Sequence, residues 1–329
     1  MKKLISLSLV LAVIFVIPAC AKKEQEKRPI KIGINIWPGY AHAFIAQEKG
    51  FFTKNGVAVD LILKKETLGA KELYKNGEVD GFFTLLPDAV MLDSEGIDTK
   101  LVYVADYSET GDVIIGKPGL NSLADLKNKR ISCEGINTFS QAFVLKALEK
   151  AGLKEYEVQF ADIPAHEVLN ALENGAIEAG HTWEPTKSAA LNKGYKILAT
   201  AKDVPGVIID CLAFSGKAVE ERPEDIKRII KSLLEARDFI YSNKDEALEI
   251  MARGEKMKKA EMESGLQGVY QPDLKENIEV MKKSGDQKSL YAAGENIAEF
   301  FLHRGQLSDM PDLSEIIEPK FINALAGEK

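Results

Sequence analysis

Short apolar runs alternate with helical patterns from Ile30 to about Phe214, and this alternation is what most limits the folds open to the chain. It is the order of an α/β protein with mainly parallel strands. Beyond Pro223 the apolar residues recur at helical spacing, which predicts an all-helical C-terminal segment. The predicted strands are 31–35, 58–63, 80–85, 101–105, 130–134, 158–163, 178–182, 196–199 and 207–214. The predicted helices include 41–49, 70–75, 122–127, 138–151, 166–173, 224–241, 244–251, 258–265, 274–284 and 290–304.

The α/β part contains a faint internal duplication. Residues 76–87 and 174–185 share an Asn-Gly pair, an acidic residue, a Thr and a Pro at a constant offset. Residues 33–44 and 135–143 repeat Gly-Ile-Asn and Ala-Phe at a similar distance. Each match alone is common at the helix ends and strand ends of α/β proteins. Two matches in register predict two similar α/β lobes.

Two similar lobes require the chain to pass between them twice. The crossings are predicted near 107–112 and 204–210, where the composition is that of turns or strand edges. We therefore expect lobe 1 to comprise 30–110 and 209–329, and lobe 2 to comprise 111–208, with a two-strand hinge between them. The helical C-terminal segment is expected to pack on lobe 1. The strand ends of both lobes then face a common cleft, which is where open α/β sheets bind ligands.

The N-terminal segment has the pattern of an export signal. A basic start at 1–3 precedes an apolar run at 4–19 that is too short to span a bilayer. Cys20 follows in the position of the acylated cysteine of a bacterial lipobox. We predict that residues 1–19 are removed, that Cys20 carries lipid and that the charged stretch 20–29 is a flexible tether. The alternative is an ordinary cleaved signal with an incidental cysteine.

Charge and cysteine content exclude several classes of function. The formal net charge is −7, and it becomes −9 once the two lysines of the signal are removed, so nucleic acid is not an expected partner. The four histidines and the cysteines lack the spacing of a metal site, and no cofactor is predicted. Cys133 and Cys211 each lie in an apolar strand-like run. A disulfide between them and two buried free thiols remain alternatives.

Several segments together resemble a known family. Trp37-Pro38-Gly39-Tyr40, residues 47–52, residues 119–130 and Trp183-Glu184-Pro185 resemble the nitrate, sulfonate, taurine and bicarbonate group of ABC-transporter substrate-binding proteins, which includes thiamine-pyrimidine relatives. The resemblance implies a type II periplasmic-binding-protein fold that closes around one small solute. It also implies delivery to a membrane permease with its ATPase, and we expect a monomer.

Aromatic and acidic residues follow the predicted strands at the cleft. Trp37 and Tyr40 could stack on a planar ligand or shelter a cation, with packing of the lobe as the alternative. Trp183 and Glu184 occupy the corresponding place in lobe 2. A carboxylate beside two aromatic walls favours a ligand with an amine or amidine. Asp210 interrupts an apolar strand and therefore needs a partner, either a ligand cation or a basic residue of the protein.

The remaining candidates have weaker patterns. Asp88 is interpreted mainly as a helix N-cap, and Glu109 and Asp112 as either turn residues or ligand contacts. The helix that starts near Thr138, with Asn137 or Thr138 as its expected cap, offers free N–H groups to an anionic or carbonyl oxygen. The full set of candidate ligand-binding residues is Trp37, Tyr40, Thr84, Asp88, Glu109, Asp112, Asn137, Thr138, Phe139, Ser140, Trp183, Glu184 and Asp210.

These patterns favour one function and leave two alternative functions open as rivals. The leading hypothesis is a membrane-anchored solute-binding protein of an importer, with an amine-bearing or zwitterionic solute such as taurine, or an aminopyrimidine. A ligand sensor for a membrane receptor is the first rival. The second is an enzyme like those that make the thiamine pyrimidine, but the cysteine-rich run of those enzymes is missing here. His42 is the one histidine expected near the cleft, and no nucleophile–base pair is predicted.

Overall fold

We describe residues 28–286 and 289–327 of a computed structural model of the chain. The predicted signal at 1–19, the lipid-bearing Cys20 and the tether as far as Lys27 lie outside the described residues. Arg28 forms an ion pair with Asp80, with Nη2 and Oδ1 2.6 Å apart. Arg28, which was predicted to belong to the tether, is therefore attached to lobe 1.

The described residues contain eleven strands, fifteen α-helices and four short 3₁₀ turns. The strands are β1 (Ile30–Asn35), β2 (Val59–Lys64), β3 (Gly81–Leu85), β4 (Thr99–Ser108), β5 (Val113–Gly116), β6 (Arg130–Cys133), β7 (Gln159–Asp162), β8 (Ala179–Thr182), β9 (Lys196–Thr200), β10 (Ile209–Ser215) and β11 (Val269–Tyr270). The helices are α1 (His42–Glu48), α2 (Phe51–Lys54), α3 (Thr67–Lys75), α4 (Leu86–Ser94), α5 (Phe139–Lys150), α6 (Val168–Glu173), α7 (Thr186–Asn192), α8 (Gly216–Glu221), α9 (Pro223–Ser242), α10 (Lys244–Glu255), α11 (Lys259–Leu266), α12 (Leu274–Val280), α13 (Leu290–His303), α14 (Leu313–Ile316) and α15 (Lys320–Ala326). The 3₁₀ turns are Leu123–Leu126, Glu155–Glu157, Ala165–Glu167 and Ala201–Asp203.

The strands form two separate sheets. The first has the order β11-β4-β10-β3-β1-β2 and the second the order β7-β6-β8-β5-β9. Strands pair in parallel in the β2-β1-β3 and β7-β6-β8 halves, whereas β10, β4, β11, β5 and β9 pair antiparallel. Strands β2, β1, β3 and β4 run in one direction in the first sheet, and β7, β6, β8 and β9 do so in the second, so the expectation of mainly parallel strands is confirmed. Strands β5 and β10 each enter a sheet from the other lobe, so they run opposite to their neighbours.

The two sheets repeat one plan, as the sequence duplication predicts. If β11 is set aside, the order β2-β1-β3-β10-β4 corresponds strand by strand to β7-β6-β8-β5-β9. The Asn-Gly pairs that signalled the repeat end α3 and α6, and both glycines, Gly77 and Gly175, have positive φ. Glycine adopts this conformation without the steric cost that a Cβ imposes. The predicted α/β fold class with two lobes is confirmed.

The chain crosses between the sheets twice. It leaves β4 at Ser108 and enters β5 at Val113, and it leaves β9 at Thr200 and enters β10 at Ile209. Each predicted strand overlaps an observed one, but β5 was not predicted. Its four residues follow directly on the first crossing and are too few to show a period.

The C-terminal helices cover lobe 1 and also reach lobe 2. Helices α9 and α10 pack on α1, and α13 packs on α4. Helix α9 begins with a proline in its first turn and buries an apolar stripe that includes Ile226, Ile229 and Ile230. After α13, Arg304 Nη2 donates to Glu155 Oε1 of lobe 2 at 2.9 Å. The segment is not all helical, because β11 joins the edge of the first sheet beside β4.

Burial settles the state of the two cysteines. Cys133 and Cys211 are both buried free thiols, at the end of β6 and inside β10 respectively. Burial raises the pKa of Cys133 to about 12. Both residues therefore behave as small core side chains, which is the second of the two alternatives.

Candidate functional site

A small inner cavity lies between the lobes, at the ends of the parallel strands. Lobe 1 lines it with Asn35, Trp37, Tyr40, Thr67, Leu85 and Asp210. Lobe 2 lines it with Asp112, Phe139 and Trp183. The space is narrow, because its total volume of about 200 Å³ includes the solvent at its opening. Its lining includes two carboxyl groups and no Lys, Arg or His.

The turn after β1 aims both of its aromatic residues at this cavity. The backbone N–H of Tyr40 donates to the carbonyl of Trp37 at 2.9 Å, which closes the turn. Gly39 allows the turn to lie against Asp106, because a Cβ there would come within 1.9 Å of a carboxylate oxygen. The Trp37 indole N–H donates to both oxygens of Asp106, at 3.2 and 3.1 Å. The Tyr40 hydroxyl donates to Asp210.

Two buried carboxyl groups lie side by side beneath the inner cavity. Asp106 on β4 lies opposite Asp210 on β10 in the register of the sheet. Burial raises the pKa of Asp106 to about 8 and that of Asp210 well above its usual value, and the other carboxyl groups add to the latter shift. Asp210 Oδ2 accepts no hydrogen bond from an N–H or hydroxyl donor in the described residues. The partner of Asp210 is thus neither a lysine nor an arginine, although the sequence suggested a basic residue or a ligand.

A third acidic group joins this cluster from the C-terminal helices. Glu255, at the end of α10, is fully buried and its Oε1 accepts the backbone N–H of Trp37 at 3.0 Å. Burial raises the pKa of Glu255 to about 8. The C-terminal segment therefore helps to position the Trp37 turn, and its Glu255 adds a carboxyl group to the site.

A chain of hydrogen bonds holds Asp112. The Glu134 backbone N–H donates to Ser140 Oγ at 2.8 Å, and Ser140 Oγ lies 2.7 Å from Nδ1 of His181. His181 Nε2 lies 2.9 Å from Asp112 Oδ1. Because Ser140 accepts from the backbone, its own proton goes to Nδ1, and Nε2–H is left to donate to Asp112. His181, and not His42, is therefore the histidine beside the ligand cavity.

Aromatic rings from both lobes meet at the inner cavity. The ring centroids of Trp37 and Trp183 are 6.4 Å apart in an edge-on arrangement. Phe139 lies 6.0 Å from Trp183, and the Trp183 indole N–H donates to the Ile36 carbonyl at 3.1 Å. That hydrogen bond links the lobes directly. Both tryptophans thus wall one shared space, in an arrangement typical of sites for planar or cationic ligands.

The N-terminus of α5, which the sequence predicted as a site for an anionic oxygen, and that of α3 already face carboxyl groups of the protein. Asp88 is buried 3.4 Å from the Lys71 ammonium; burial raises its pKa, and Lys71 and the N–H of Phe139 oppose the rise. Burial likewise raises the pKa of Glu134, against the N–H groups of Ala165 and Thr67. Asp88 is not the predicted N-cap, since that position is Leu85 and Asp88 forms no cap hydrogen bond.

Several other candidates do not line the inner cavity. Glu109 is exposed in the first crossing, and Thr84 is buried within β3. Thr138 is the N-cap of α5, as predicted, and its hydroxyl accepts from the backbone N–H of Gln141. The Asn137 side chain accepts a hydrogen bond from Gln306. The polar groups of these last two residues are therefore engaged within the protein, as is that of Ser140.

A second, outer cavity adjoins the first and shares Trp183 as a wall. It measures about 560 Å³ and is bounded by Ile36 and Lys65 of lobe 1. Lobe 2 contributes Glu134, Glu184 and the segment from Thr182 to Thr186. Glu184 lies here and not in the inner cavity, where the sequence placed it beside Trp183. Its carboxylate is satisfied by the protein, at 2.8 Å from Ser264 Oγ and 3.2 Å from Lys187 Nζ.

Five site residues were not predicted from the sequence. Asn35, Thr67 and Leu85 line the inner cavity, while Asp106 and Glu255 supply buried carboxyl groups. The position of Asn35 at the end of β1 was the available signal, because strand ends face the cleft. Glu255 gave no signal, since it looks like one more charged residue of a solvated helix.

Two kinds of feature are absent from the described ranges, 28–286 and 289–327. Within them no group of His, Cys, Asp and Glu side chains is arranged to hold a metal ion. No helix in these ranges is long and apolar enough to cross a bilayer.

Comparison with known proteins identifies the family. A family described as NMT1/THI5 like matches residues 37–247, which is more than half of the chain. The chain belongs to the NMT1/THI5-like family. The resemblance noted from the sequence is thereby confirmed. A Brucella abortus protein named as a binding protein is 28% identical over 80% of this chain and 82% of its own length. The formylaminopyrimidine-binding protein of Halalkalibacterium halodurans is 22% identical over 76% of this chain and 79% of its own.

Solved structures share the fold of this NMT1/THI5-like chain. The periplasmic aliphatic sulphonate-binding protein of Escherichia coli superposes with a TM-score of 0.73 at 18% identity, covering 90% of this chain and 99% of its own. The desulfurization enzyme DSZB superposes with a TM-score of 0.66 at 14% identity, covering 91% and 100%. The fold thus occurs in both binding proteins and an enzyme, so function has to be argued from the site.

Proposed function

We propose that this chain is an extracytoplasmic solute-binding protein of an ABC importer, and that it closes on a small solute with an amine or amidine group. The observation that carries the proposal is the lining of the inner cavity. Asp112 and Asp210 meet four aromatic side chains there, with no basic side chain among the lining residues. Carboxylates accept amidine N–H groups in pairs, and aromatic faces stack on flat rings or cations. An aminopyrimidine satisfies both requirements.

The same lining disfavours a simple anion. A sulfonate or nitrate would meet Asp112 without a basic partner among the lining residues, and burial of such a charge is costly. The N-termini of α3 and α5 would be its remaining attraction, but Glu134 and Asp88 already face them. A zwitterion such as taurine could place its amine on Asp112 or Asp210. It would still leave its sulfonate in acidic surroundings.

The site supports binding and not catalysis. Ser140, His181 and Asp112 resemble a nucleophile–base–acid series, but Ser140 is fully buried and lines neither cavity. A nucleophile must reach the substrate. The series is therefore a positioning network for Asp112, and ligand capture requires no cofactor.

The cellular setting completes the proposal. An acylated Cys20 would hold the chain on the outer side of a membrane, with residues 21–27 as a tether and the permease and its ATPase as partners. Dual or triple acyl chains give stable anchoring, whereas a single chain does so poorly. The protein would act as a monomer, because closure of its own two lobes completes the site.

A thermal-shift and calorimetry panel on residues 21–329 tests the proposed ligand class. Aminopyrimidines should raise the melting temperature by several degrees at a concentration of about 100 times Kd, where binding adds about 2.7 kcal/mol to the free energy of unfolding. Taurine, alkanesulfonates, nitrate and bicarbonate serve as comparison ligands. Stabilisation by nitrate or simple sulfonates, without any by aminopyrimidines, would overturn the proposal.

A further inference from the structure

The first crossing between the lobes is fastened to the C-terminal segment by a single carbonyl group. The backbone N–H groups of Glu109, Thr110 and Gly111 all donate to the carbonyl oxygen of Gly268, at 2.9, 3.0 and 3.0 Å. Gly268 lies between α11 and β11, and a Cβ on it would come within 2.6 Å of Gly111 N. The absence of a side chain therefore allows this contact, which fixes the crossing against the turn that follows α11.

Helix α11 also contacts lobe 2. Ser264 Oγ donates to Glu184 Oε1 at 2.8 Å, and Glu184 belongs to the segment between β8 and α7 of lobe 2. A Cβ on Gly265 would lie 3.3 Å from Glu184 Cγ, so the backbone of α11 approaches the same side chain closely. Glu184 is only 1% exposed. The helix therefore binds lobe 2 through a buried carboxylate.

A buried lysine of lobe 2 joins these two contacts. Lys187 Nζ lies 3.2 Å from Glu184 Oε1 and 3.3 Å from the carbonyl oxygen of Thr110. The contacts form a closed ring, which runs from α11 through Glu184 and Lys187 to the first crossing and returns to the C-terminal segment through Gly268. This ring joins lobe 1, lobe 2 and the crossing.

The Ser264 hydrogen bond is the part of the ring that lobe opening breaks at least cost. Ser188 Oγ donates to the same Glu184 oxygen at 3.0 Å, and the Ser188 backbone N–H donates to the other oxygen at 3.1 Å. Ser188 and Lys187 both lie on α7 of lobe 2, so they move with Glu184. The carboxylate therefore keeps these donors when α11 moves away, and opening does not leave its charge unpaired.

We propose that α11 is a strap that restrains opening of the lobes: it is attached to the first crossing at Gly268, and it releases lobe 2 when the hydrogen bond from Ser264 to Glu184 breaks. The inference rests on the lobe closure of the proposed function, but not on the ligand class. Glu184 then serves as the attachment point of α11 on lobe 2. A protein that lacks this hydrogen bond should open more often in the absence of ligand.

Hydrogen exchange of the tryptophan indoles measures opening without a ligand. The chain has two tryptophans, so isotope-labelled protein comprising residues 21–329 gives two indole N–H signals by NMR. The Trp183 indole N–H donates across the lobes to the Ile36 carbonyl, whereas that of Trp37 donates within lobe 1 to Asp106. When reclosing is fast, the exchange rate of a protected N–H is proportional to the population of the open form. Exchange at Trp183 therefore reports lobe opening, and Trp37 is the internal reference.

Ser264→Ala should raise the exchange rate at Trp183 about 3- to 10-fold, the effect of losing one hydrogen bond, and change the rate at Trp37 less than about twofold. Ser188→Ala is the matched control, because it removes a hydroxyl from the same Glu184 oxygen but within lobe 2. It should leave the Trp183 rate within about twofold of the wild-type value.

Faster exchange that is confined to Trp183 and to Ser264→Ala supports the strap. An unchanged Trp183 rate in Ser264→Ala, an equal rise in Ser188→Ala, or an equal rise at both indoles would refute it, the last because general loss of stability accelerates both signals. The measurement uses no ligand. Failure of the aminopyrimidine panel therefore leaves this inference standing, and failure of the exchange experiment leaves the proposed ligand class standing.

Discussion

Trp37 illustrates how single residues connect distant parts of this chain. Its backbone N–H binds Glu255 of α10, and its indole N–H binds Asp106 of β4. Neither carboxyl group is close to Trp37 in sequence. Both are buried and carry raised pKa values of about 8, caused first by burial. The floor of the site is thus built from acids that keep their protons at pH values where exposed carboxyl groups have lost theirs.

The raised pKa of buried Asp106 predicts an unusual dependence of stability on pH. Because the pKa of Asp106 is about 8 in the fold and 3.8 in its ordinary state, the native protein binds more protons than the unfolded chain between these values. This contribution to the free energy of unfolding is complete below pH 3.8 and is lost as the pH rises through 8. The loss is about 1.4 kcal/mol per pH unit for each proton held only in the native state.

Asp106→Asn should therefore flatten the decline in stability between pH 5 and 8, measured by urea unfolding of the ligand-free protein. Asp112 and Tyr40 also face the carboxyl pair, and Glu255 titrates in the same direction, so some slope will remain. Asp309→Asn, at an exposed position, is the control. Equal slopes in Asp106→Asn and the wild type would show that Asp106 takes up no proton on folding.

The acidic floor also shows what the sequence could and could not predict. Asp210 stood out because a charge interrupts an apolar strand. Asp106 did not stand out, because it lies one residue past the strand end predicted at Ala105. Glu255 depends on a contact between residues 218 positions apart, and local patterns carry no information on such pairs. The charges at the site depend on tertiary pairing, and residue type alone does not reveal it.

At the level of elements, α5 shows how a helix start positions a ligand wall. Thr138 caps the helix: its hydroxyl accepts from Gln141 N at 3.3 Å and donates to the Glu134 carbonyl at 2.8 Å. Phe139, the first helical residue, lines the inner cavity. The cap therefore holds the ring at the site, and the sequence predicted this position because Thr is a common N-cap.

Thr138→Ala should destabilise the protein by about 1 kcal/mol, which is the typical cost of losing an N-cap side chain. The melting temperature should fall by about 2 to 4 °C. Thr138→Ser keeps the hydroxyl. Its melting temperature, measured like that of Thr138→Ala by scanning calorimetry, should remain near the wild-type value. A serine variant as unstable as the alanine variant would mean that the methyl group, and not the cap, matters.

The two strands that were not predicted from the sequence, β5 and β11, were missed for the same physical reasons. Strand β5 has four residues and β11 has two, so neither shows a readable period. Both depend on neighbours for their existence: β5 pairs with β8 and β9, and β11 pairs with β4. Longer amphipathic helices such as α9 were predicted because their own spacing encodes the buried face.

At the scale of the whole molecule, the two lobes are in contact around the inner cavity. The hydrogen bond from Trp183 Nε1 to the Ile36 carbonyl is a direct link between lobes. Ligand capture by closure requires that such contacts be broken in an open form. The strength of this link should therefore influence how often the free protein opens.

Trp183→Phe removes the link but keeps an aromatic wall. It should shift the ligand-free protein towards open forms, seen as a larger radius of gyration by small-angle scattering. The affinity for an aminopyrimidine should fall about 2- to 10-fold, the effect of one hydrogen bond. Trp37→Phe is the matched control, because its lost N–H binds Asp106 within lobe 1. A radius unchanged in Trp183→Phe, or increased equally in both variants, would contradict a gating role for Trp183.

Strand β10 lies in the middle of the first sheet, between β3 and β4, yet it follows the whole of the second sheet in the chain. Because the chain is synthesised from its N-terminus, all five strands of the second sheet are made before residue 209. The second sheet can be completed first, while β3 and β4 wait with unpaired edges. Such edges invite wrong pairing between molecules. The later-finished half is thus where a newly made chain is most exposed to wrong pairing.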